Sequence, residues 1–310
     1  MAPEPNTVLA ALDCGTNSTR LLIVSGDGAT LTRLMRITRL GQGVDGTHRL
    51  DEEAMRRTLH VLAYYRQEMD RFGVGATRLV ATSAVRDAAN GNEFLAAATS
   101  VVGVPAELLS GLEEGRLSYV GAMADLEPID ADDVVIDSGG GSTEIALNGA
   151  GALEATSLDI GCVRITERYL SGDPPSDDQV AAAVNAIAAA LDAAVASVPA
   201  LGGLRNGSRL LGLAGTVSTL AMLEGGLEEY DRAKVHHAVL SADAVARWCD
   251  LLAEEDVGTR RRREAISPGR EDVIFGGALV LREAMKRFGF RDCIVSESDI
   301  LDGLVASIRS

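Results

Sequence analysis

Twice along this chain a short apolar run ends at an aspartate and opens into a glycine-bearing turn. Val8–Leu12 leads into Asp13-Cys14-Gly15-Thr16-Asn17-Ser18, and Val134–Ile136 leads into Asp137-Ser138-Gly139-Gly140-Gly141-Ser142. Each reads as a strand followed by a turn. The pattern then runs in parallel. Leu21–Val24 and Thr143–Leu147 read as second strands. Gly26-Asp27-Gly28 and Asn148-Gly149-Ala150-Gly151 have hairpin-turn chemistry, with glycine supplying positive φ. Third strands are expected from about residue 31 to 40 and 153 to 160, closing at Gly41 and Gly161. A helix follows in each half. Asp51 is placed to cap one running to Phe72, with Met55, Leu59, Leu62, Met69 and Phe72 at helical spacing, and Ser176 to cap an Ala-rich one to about Val198. Next come strands ending in small or hydroxyl residues, Leu79–Ser83 and Leu210–Thr216. Five elements in the same order indicate an internal duplication: two related α/β domains facing a shared phosphate site.

Composition narrows the class. A length of 310 residues suits two domains with substantial cores, and the 46% apolar content is that of a globular chain. No apolar run is read as approaching the roughly 20 residues that span a bilayer, so no membrane partner is expected. The opening Met1–Asn6 has no basic region before an apolar one; it reads as a short disordered lead without a secretory signal. Cys14, Cys162, Cys249 and Cys293 are scattered, as expected of free thiols in a reducing cytoplasm. The four histidines show no metal-ligand spacing. His236 and His237 are adjacent and are expected to point apart, in a surface or core role, so zinc is not expected. A net charge of −16 argues against general nucleic-acid binding and means that an anionic substrate must be met by local donors. The run Arg260–Arg263 is either a solvated helix face or a guide strip for a long anion.

Backbone N–H groups at a glycine-rich turn can converge on an anion, because no Cβ blocks the approach. Gly139-Gly140-Gly141-Ser142-Thr143 is the strongest such segment. Asp13 and Asp137 close their strands beside the turns. A carboxylate there repels phosphate unless a cation lies between, and Mg²⁺ is the expected one; alternatively each is a turn residue making a local hydrogen bond. Thr82-Ser83-Ala84-Val85-Arg86 puts hydroxyls at a strand end and an arginine, suited to phosphate, just inside the next helix. A surface pair with Asp87 or Glu93 is the other reading of Arg86. Ser110–Leu117 reads as a turn entering a helix, with Glu113 and Glu114 either orienting a water or complementing the helix dipole.

These segments, with Gly161-Cys162-Val163-Arg164, Gly212–Thr216 and Pro268-Gly269-Arg270-Glu271-Asp272, resemble those of the exopolyphosphatase/guanosine pentaphosphate phosphatase family, in order and over nearly the whole chain. The resemblance implies a duplicated actin-like (ribonuclease H-like) fold. Its domains would be 1–124, with the terminal helix 298–310 packed back on it, and 125–297, and the active site would lie in the interdomain cleft. It implies Mg²⁺-dependent release of the terminal phosphate from inorganic polyphosphate, or of the 5′ γ-phosphate from guanosine pentaphosphate, by a cytoplasmic homodimer. The catalytic glutamate then falls on Glu114, the phosphate-contacting arginine on Arg86, and the second acidic pair on Asp137 and Glu144. Asp137, Glu144 and Asp13 are the metal candidates. Phosphate binding is expected at Asp13, Gly15, Thr16, Asn17, Ser18, Arg20, Thr82, Ser83, Gly139, Gly140, Gly141, Ser142, Thr143, Gly215 and Thr216. Asp302 stands where the family pattern leads us to expect a basic residue. A kinase, with a nucleoside pocket near Gly212–Thr216, and a non-catalytic polyphosphate or alarmone sensor are the rival readings.

Overall fold

The computed structural model describes residues 6–127, 129, 131–149 and 152–309; Met1–Pro5 of the expected lead and Ala150-Gly151 of the expected hairpin turn lie outside them. The chain forms two compact units, one of Met1–Ala124 with Asp299–Ser310 and the other of Asp125–Ser298.

The first unit contains β1 (Leu9–Cys14), β2 (Ser18–Val24), β3 (Thr30–Ile37), the single turn α1 (Val44–Thr47), α2 (Glu52–Arg71), β4 (Ala76–Ala81), the single turn α3 (Ser83–Arg86), α4 (Gly91–Val102), β5 (Ala106–Leu108) and α5 (Gly111–Met123). Its sheet has the order β3-β2-β1-β4-β5, antiparallel through β1 and parallel beyond it. The sheet is apolar on both faces. Ala10, Leu12, Leu21, Ile23, Leu79 and Ala81 face a core shared with α2 and α4, whereas Leu9, Ala11, Leu22, Val24 and Val80 face Leu117 of α5 and Ile300, Leu301 and Leu304 near the C-terminus. Burial on both faces is why the strands read as continuous apolar runs. Strand alternation puts Asp13 and Arg20 on the second of these faces.

The second unit contains β6 (Asp133–Ser138), β7 (Thr143–Gly149), β8 (Ala152–Leu158), α6 (Cys162–Tyr169), α7 (Asp177–Ser197), β9 (Arg209–Leu213), α8 (Ala214–Glu224), the single turn α9 (Arg232–Val235), β10 (Val239–Ser241), α10 (Ala242–Glu254), α11 (Val257–Arg261), α12 (Ile274–Phe288) and β11 (Asp292–Val295). The last helix, α13 (Ile300–Arg309), belongs to the first unit. The second sheet has the order β10-β11-β9-β6-β7-β8. Without β10 it repeats the first sheet strand for strand, so the duplication read from the pattern is the duplicated actin-like fold.

Boundaries follow local chemistry. The Asp51 carboxylate accepts Ala54 N–H and starts α2; Ser176 and Gln179 form a capping box at α7. The buried stripe of α2 is Ala54, Thr58, Leu62, Tyr65 and Met69, with Met55, Leu59 and Phe72 at its margin. β3 ends at Ile37, short of the expected Leu40, because Thr38 and Arg39 turn to donate their N–H groups to Asn17 O. One helix departs from the membrane expectation. By length and composition α7, at 21 residues, is long and apolar enough to cross a bilayer. Its apolar count is mostly alanine, and Ala183, Ile187, Leu191 and Ala194 bury one face in the unit's core.

Candidate active site

In both units the expected site residues gather at the carboxyl ends of the parallel strands, where open α/β sheets bind ligands. In the first unit Cys14 and Ala81 are register partners, as are Ala81 and Leu108, so Gly15, Thr82-Ser83 and Ser110 follow three neighbouring strand ends. In the second, Asp137 pairs with Leu213, which sets Gly139–Ser142 beside Ala214–Thr216.

The two turns share one construction. Gly15 N–H donates to Ser18 O at 3.0 Å, and Gly139 N–H to Ser142 O at 3.0 Å. Each turn is braced from behind by the connection after the third strand. Gly41 N–H donates to Thr16 O at 2.9 Å. In the second unit the start of α6 takes all three glycine carbonyls: Cys162 N–H donates to Gly139 O, Val163 and Arg164 N–H to Gly140 O, and Arg164 Nε to Gly141 O at 2.6 Å. Carbonyls tied to one side leave the N–H groups of Gly140, Gly141 and Ser142 directed away from that brace, as anion binding requires. None of these three glycines has a positive φ. The close approach is made by Gly161, where a Cβ would stand 2.7 Å from Gly141 N and nearer still to Gly140 C and O.

The copies differ in what faces the aspartate. Asp13 pairs across the strands with Arg20, and Asp137 with Glu144. Arg20 donates to Asp13 Oδ2 from Nε at 3.0 Å and from Nη2 at 2.6 Å. Asp13 Oδ1, fully buried, has no hydrogen-bond partner. Burial pushes the Asp13 carboxyl above its ordinary range, against the pull of Arg20. The first pair thus sets an acid against a base, whereas the second sets two acidic side chains, on residues 7% and 2% exposed, directly opposite one another. Ser157 Oγ donates to Glu144 Oε1 at 2.7 Å. Opposed side chains in an antiparallel pair lie about 5 Å apart, and like charges there are unfavourable. An all-oxygen donor set of this kind fits Mg²⁺. Asp13 fits it less well, since Arg20 already offsets its charge.

Arg86 and Glu114, distant in sequence, meet: Arg86 Nη1 donates to Glu114 Oε2 at 3.3 Å and to Leu109 O at 3.0 Å. Ser110 caps α5 by accepting Glu113 N–H, which places both glutamates in the first turn. The two then separate. Glu113 and Glu107 both bind Arg78, whereas Glu114, 9% exposed, turns to Arg86. A matching family model covers residues 22–309 and describes the Ppx/GppA phosphatase family. The chain belongs to that family. It is 40% identical to exopolyphosphatase 2 of Mycobacterium tuberculosis over 97% of this chain and 98% of that protein. Among solved structures, an exopolyphosphatase-like protein matches with a TM-score of 0.92 at 35% identity, covering 98% of this chain and 99% of that one. The Aquifex aeolicus Ppx/GppA enzyme matches with a TM-score of 0.81 at 32% identity, covering 98% and 100%.

Several expected features of this Ppx/GppA family member have other roles. The Thr143 hydroxyl, expected on phosphate, is fully buried and donates to Ile160 O. The arginine run divides: Arg261 and Arg262 are exposed, Arg263 is half-buried and Arg260 is buried. Arg260 is 3% exposed, donates to Leu252 O at 2.7 Å and lies over the Phe275 ring, Arg261 binds Glu271, and Arg263 binds Glu255. His236 and His237 do not point apart. A left-handed φ of 64° at His237 brings the rings into a stack at 3.8 Å, both on Asp125. His236 Nδ1 accepts Glu297 N–H, so the neutral ring carries its proton on Nε2, toward Asp125. That nitrogen is then no metal ligand. Asp302, where a basic residue was expected, binds Arg33. At Gly215 the Arg270 guanidinium lies where a Cβ would stand, and Ala214 before it holds a φ of 70°. All four cysteines are buried and free.

Proposed function

We propose that this protein is an exopolyphosphatase that releases terminal orthophosphate from inorganic polyphosphate. The observation that carries the reading is the Arg86–Glu114 pair: a cation for the phosphoryl group and a carboxylate for water, brought into contact at one strand end. The relation to exopolyphosphatase 2 gives the substrate class.

Phosphoryl transfer to water needs positioning and charge neutralisation more than covalent help. In the first unit the N–H groups of the Gly15–Ser18 turn, with the Ser18 and Ser83 hydroxyls, are offered to phosphate oxygens, and in the second those of the Gly139–Ser142 turn, with the Ser142 hydroxyl; the Thr216 hydroxyl faces the Cys162 thiol instead. Asp137 and Glu144 would hold Mg²⁺, which when bound offsets the charge of the phosphate oxygens. Arg86 takes oxygens of the terminal group and in doing so leaves Glu114. Glu114 then orients the attacking water and accepts its proton, a role worth about 10²–10⁴ in rate. The new P–O bond forms on the terminal phosphorus, the bridging bond breaks, and the shortened chain leaves with the bridging oxygen. Cytoplasmic residence and a homodimer belong to the same proposal, resting on the reduced thiols and on family resemblance.

The test is phosphate release under Mg²⁺ from tripolyphosphate, long-chain polyphosphate and guanosine pentaphosphate side by side. Release from either polyphosphate without an acceptor is expected. A faster rate on guanosine pentaphosphate would move the substrate to the nucleotide, and tight binding with no release from any of the three would overturn hydrolysis in favour of a sensor.

A further inference from the structure

Asp299 immediately precedes α13, and its carboxylate, 8% exposed, lies inside the first unit. Two strands supply its partners. Arg20 of β2 donates from Nη1 to Oδ2 at 2.6 Å, and Arg33 of β3 donates from Nη1 to Oδ1 at 3.3 Å. The carboxylate is also locked to its own helix: Oδ1 accepts Leu301 N–H at 2.9 Å, and Asp302 Oδ2 accepts Asp299 N–H at 2.8 Å. Asp302 takes the other arm of Arg33. A chain of alternating charge thus runs from Asp13 through Arg20, Asp299 and Arg33 to Asp302. Although burial works against ionisation, Arg20 and Arg33 hold the Asp299 carboxyl below its ordinary range. The helix that carries Asp299 is seated on α5, the helix of Glu114. A Cβ at Gly121 would stand on Asp299 O and 2.9 Å from Gly303 N, and a Cβ at Gly303 would stand 2.7 Å from Leu117 C.

We propose that Asp299 is a positioning residue for the first phosphate turn: it fixes the Arg20 guanidinium, which in turn fixes the carboxylate of Asp13. The proposal rests on the phosphohydrolase reading above. A guanidinium presents its N–H groups in a rigid planar fork. With Nε and Nη2 both on Asp13 Oδ2, Nη1 points away from Asp13, and Asp299 is an anchor that meets it there. Released from that anchor, the guanidinium swings about its stem, and Asp13, which borders the turn at Gly15, swings with it. A displacement of about 1 Å at a reacting assembly costs on the order of 10²-fold in rate.

The experiment uses Asp299→Ser, which keeps a helix-capping hydroxyl but cannot reach Arg20, and Asp299→Asn, which keeps the size and an acceptor oxygen but not the charge. Both are melted to establish that they are folded at the assay temperature. For phosphate release from tripolyphosphate, kcat is expected to fall at least roughly tenfold in Asp299→Ser and less in Asp299→Asn, with KM within about threefold of wild type. In an Arg20→Lys background, where the far arm is gone and the charge remains, Asp299→Ser is expected to cost nothing further. A folded Asp299→Ser protein with kcat within about twofold of wild type, or costs that add in full in the Arg20→Lys background, would overturn the proposal. If the wild-type protein releases no phosphate, the hydrolase reading fails by itself. The same cycle is then read on tripolyphosphate affinity by calorimetry, where non-additivity is expected and additivity refutes the role of Asp299.

Discussion

Gly161→Ala tests the construction of the second phosphate turn, because the obstacle is backbone and cannot rotate away. The added Cβ would stand 2.7 Å from Gly141 N and closer to Gly140 C and O. Ordinary contacts to carbon begin at about 3.5 Å, so the turn or the start of α6 must give by roughly 0.8–1.1 Å. The brace opposes that movement, since Cys162, Val163 and Arg164 N–H all hold the carbonyls of Gly139 and Gly140. Overpacking of this kind costs about 1–3 kcal/mol of stability. For a unit of this size that is a fall in Tm of roughly 2–10 °C. The kinetic effect is larger: a phosphate cradle displaced by about 1 Å loses about 10²-fold in kcat/KM. The assay is phosphate release from tripolyphosphate under Mg²⁺, below the melting transition of the variant. Gly203→Ala is the control, because a Cβ there meets nothing within 4 Å, and it is expected to leave kcat/KM unchanged. A Gly161→Ala protein with kcat/KM within about threefold of wild type would refute the reasoning, since the turn would then tolerate a shift of about 1 Å without loss of function.

Three further outcomes are expected. Glu114→Gln keeps the size and the contact with Arg86 but removes the proton acceptor; kcat falls by about 10²–10⁴ while Tm changes little, and near-normal turnover would remove Glu114 from the chemistry. Arg260→Ala strips a buried cation from the Leu252 and Glu271 carbonyls and from Phe275, and lowers Tm by several degrees, whereas Arg262→Ala, on an exposed residue, does not; neither changes KM for long-chain polyphosphate, and a raised KM in Arg262→Ala would restore the guide-strip reading. Burial pushes the thiols of Cys249 and Cys293 up to about 12 and that of Cys162 to about 11, and pushes Cys14 well above its ordinary value. Ellman's reagent at pH 8 is therefore expected to leave all four thiols of the native protein unreacted and to titrate all four after denaturation.

Much of the site was legible because its determinants are local. The aspartate-glycine turns, the hydroxyls after β4 and the Ser110 cap that starts the helix of Glu114 are each specified within a few residues. The contrast between the two acidic positions was not drawn from the sequence, where both aspartates were expected at the metal and Arg20 on phosphate, although the spacing holds it. Asp13 precedes Arg20 by seven residues and Asp137 precedes Glu144 by seven, and a strand, a short turn and a returning strand make residues at that spacing cross-strand partners. Helix α6 was not anticipated. It has eight residues, two turns of apolar pattern, and its role is to receive the carbonyls of a turn more than twenty positions earlier.

What the sequence determined by itself is therefore the duplication, four strands of each half, the caps and the residue types offered to a phosphate, because period, turn chemistry and capping act over a few residues. Only the tertiary structure decided how those residues are used. It spent Thr143 on a carbonyl, buried Arg260 inside the second unit, and brought Arg86 to Glu114. It also set Asp299 against Arg20, 279 positions away. Such pairings depend on where a returning helix docks. That is fixed by close backbone contacts, such as Gly121 on Asp299, that no local pattern records.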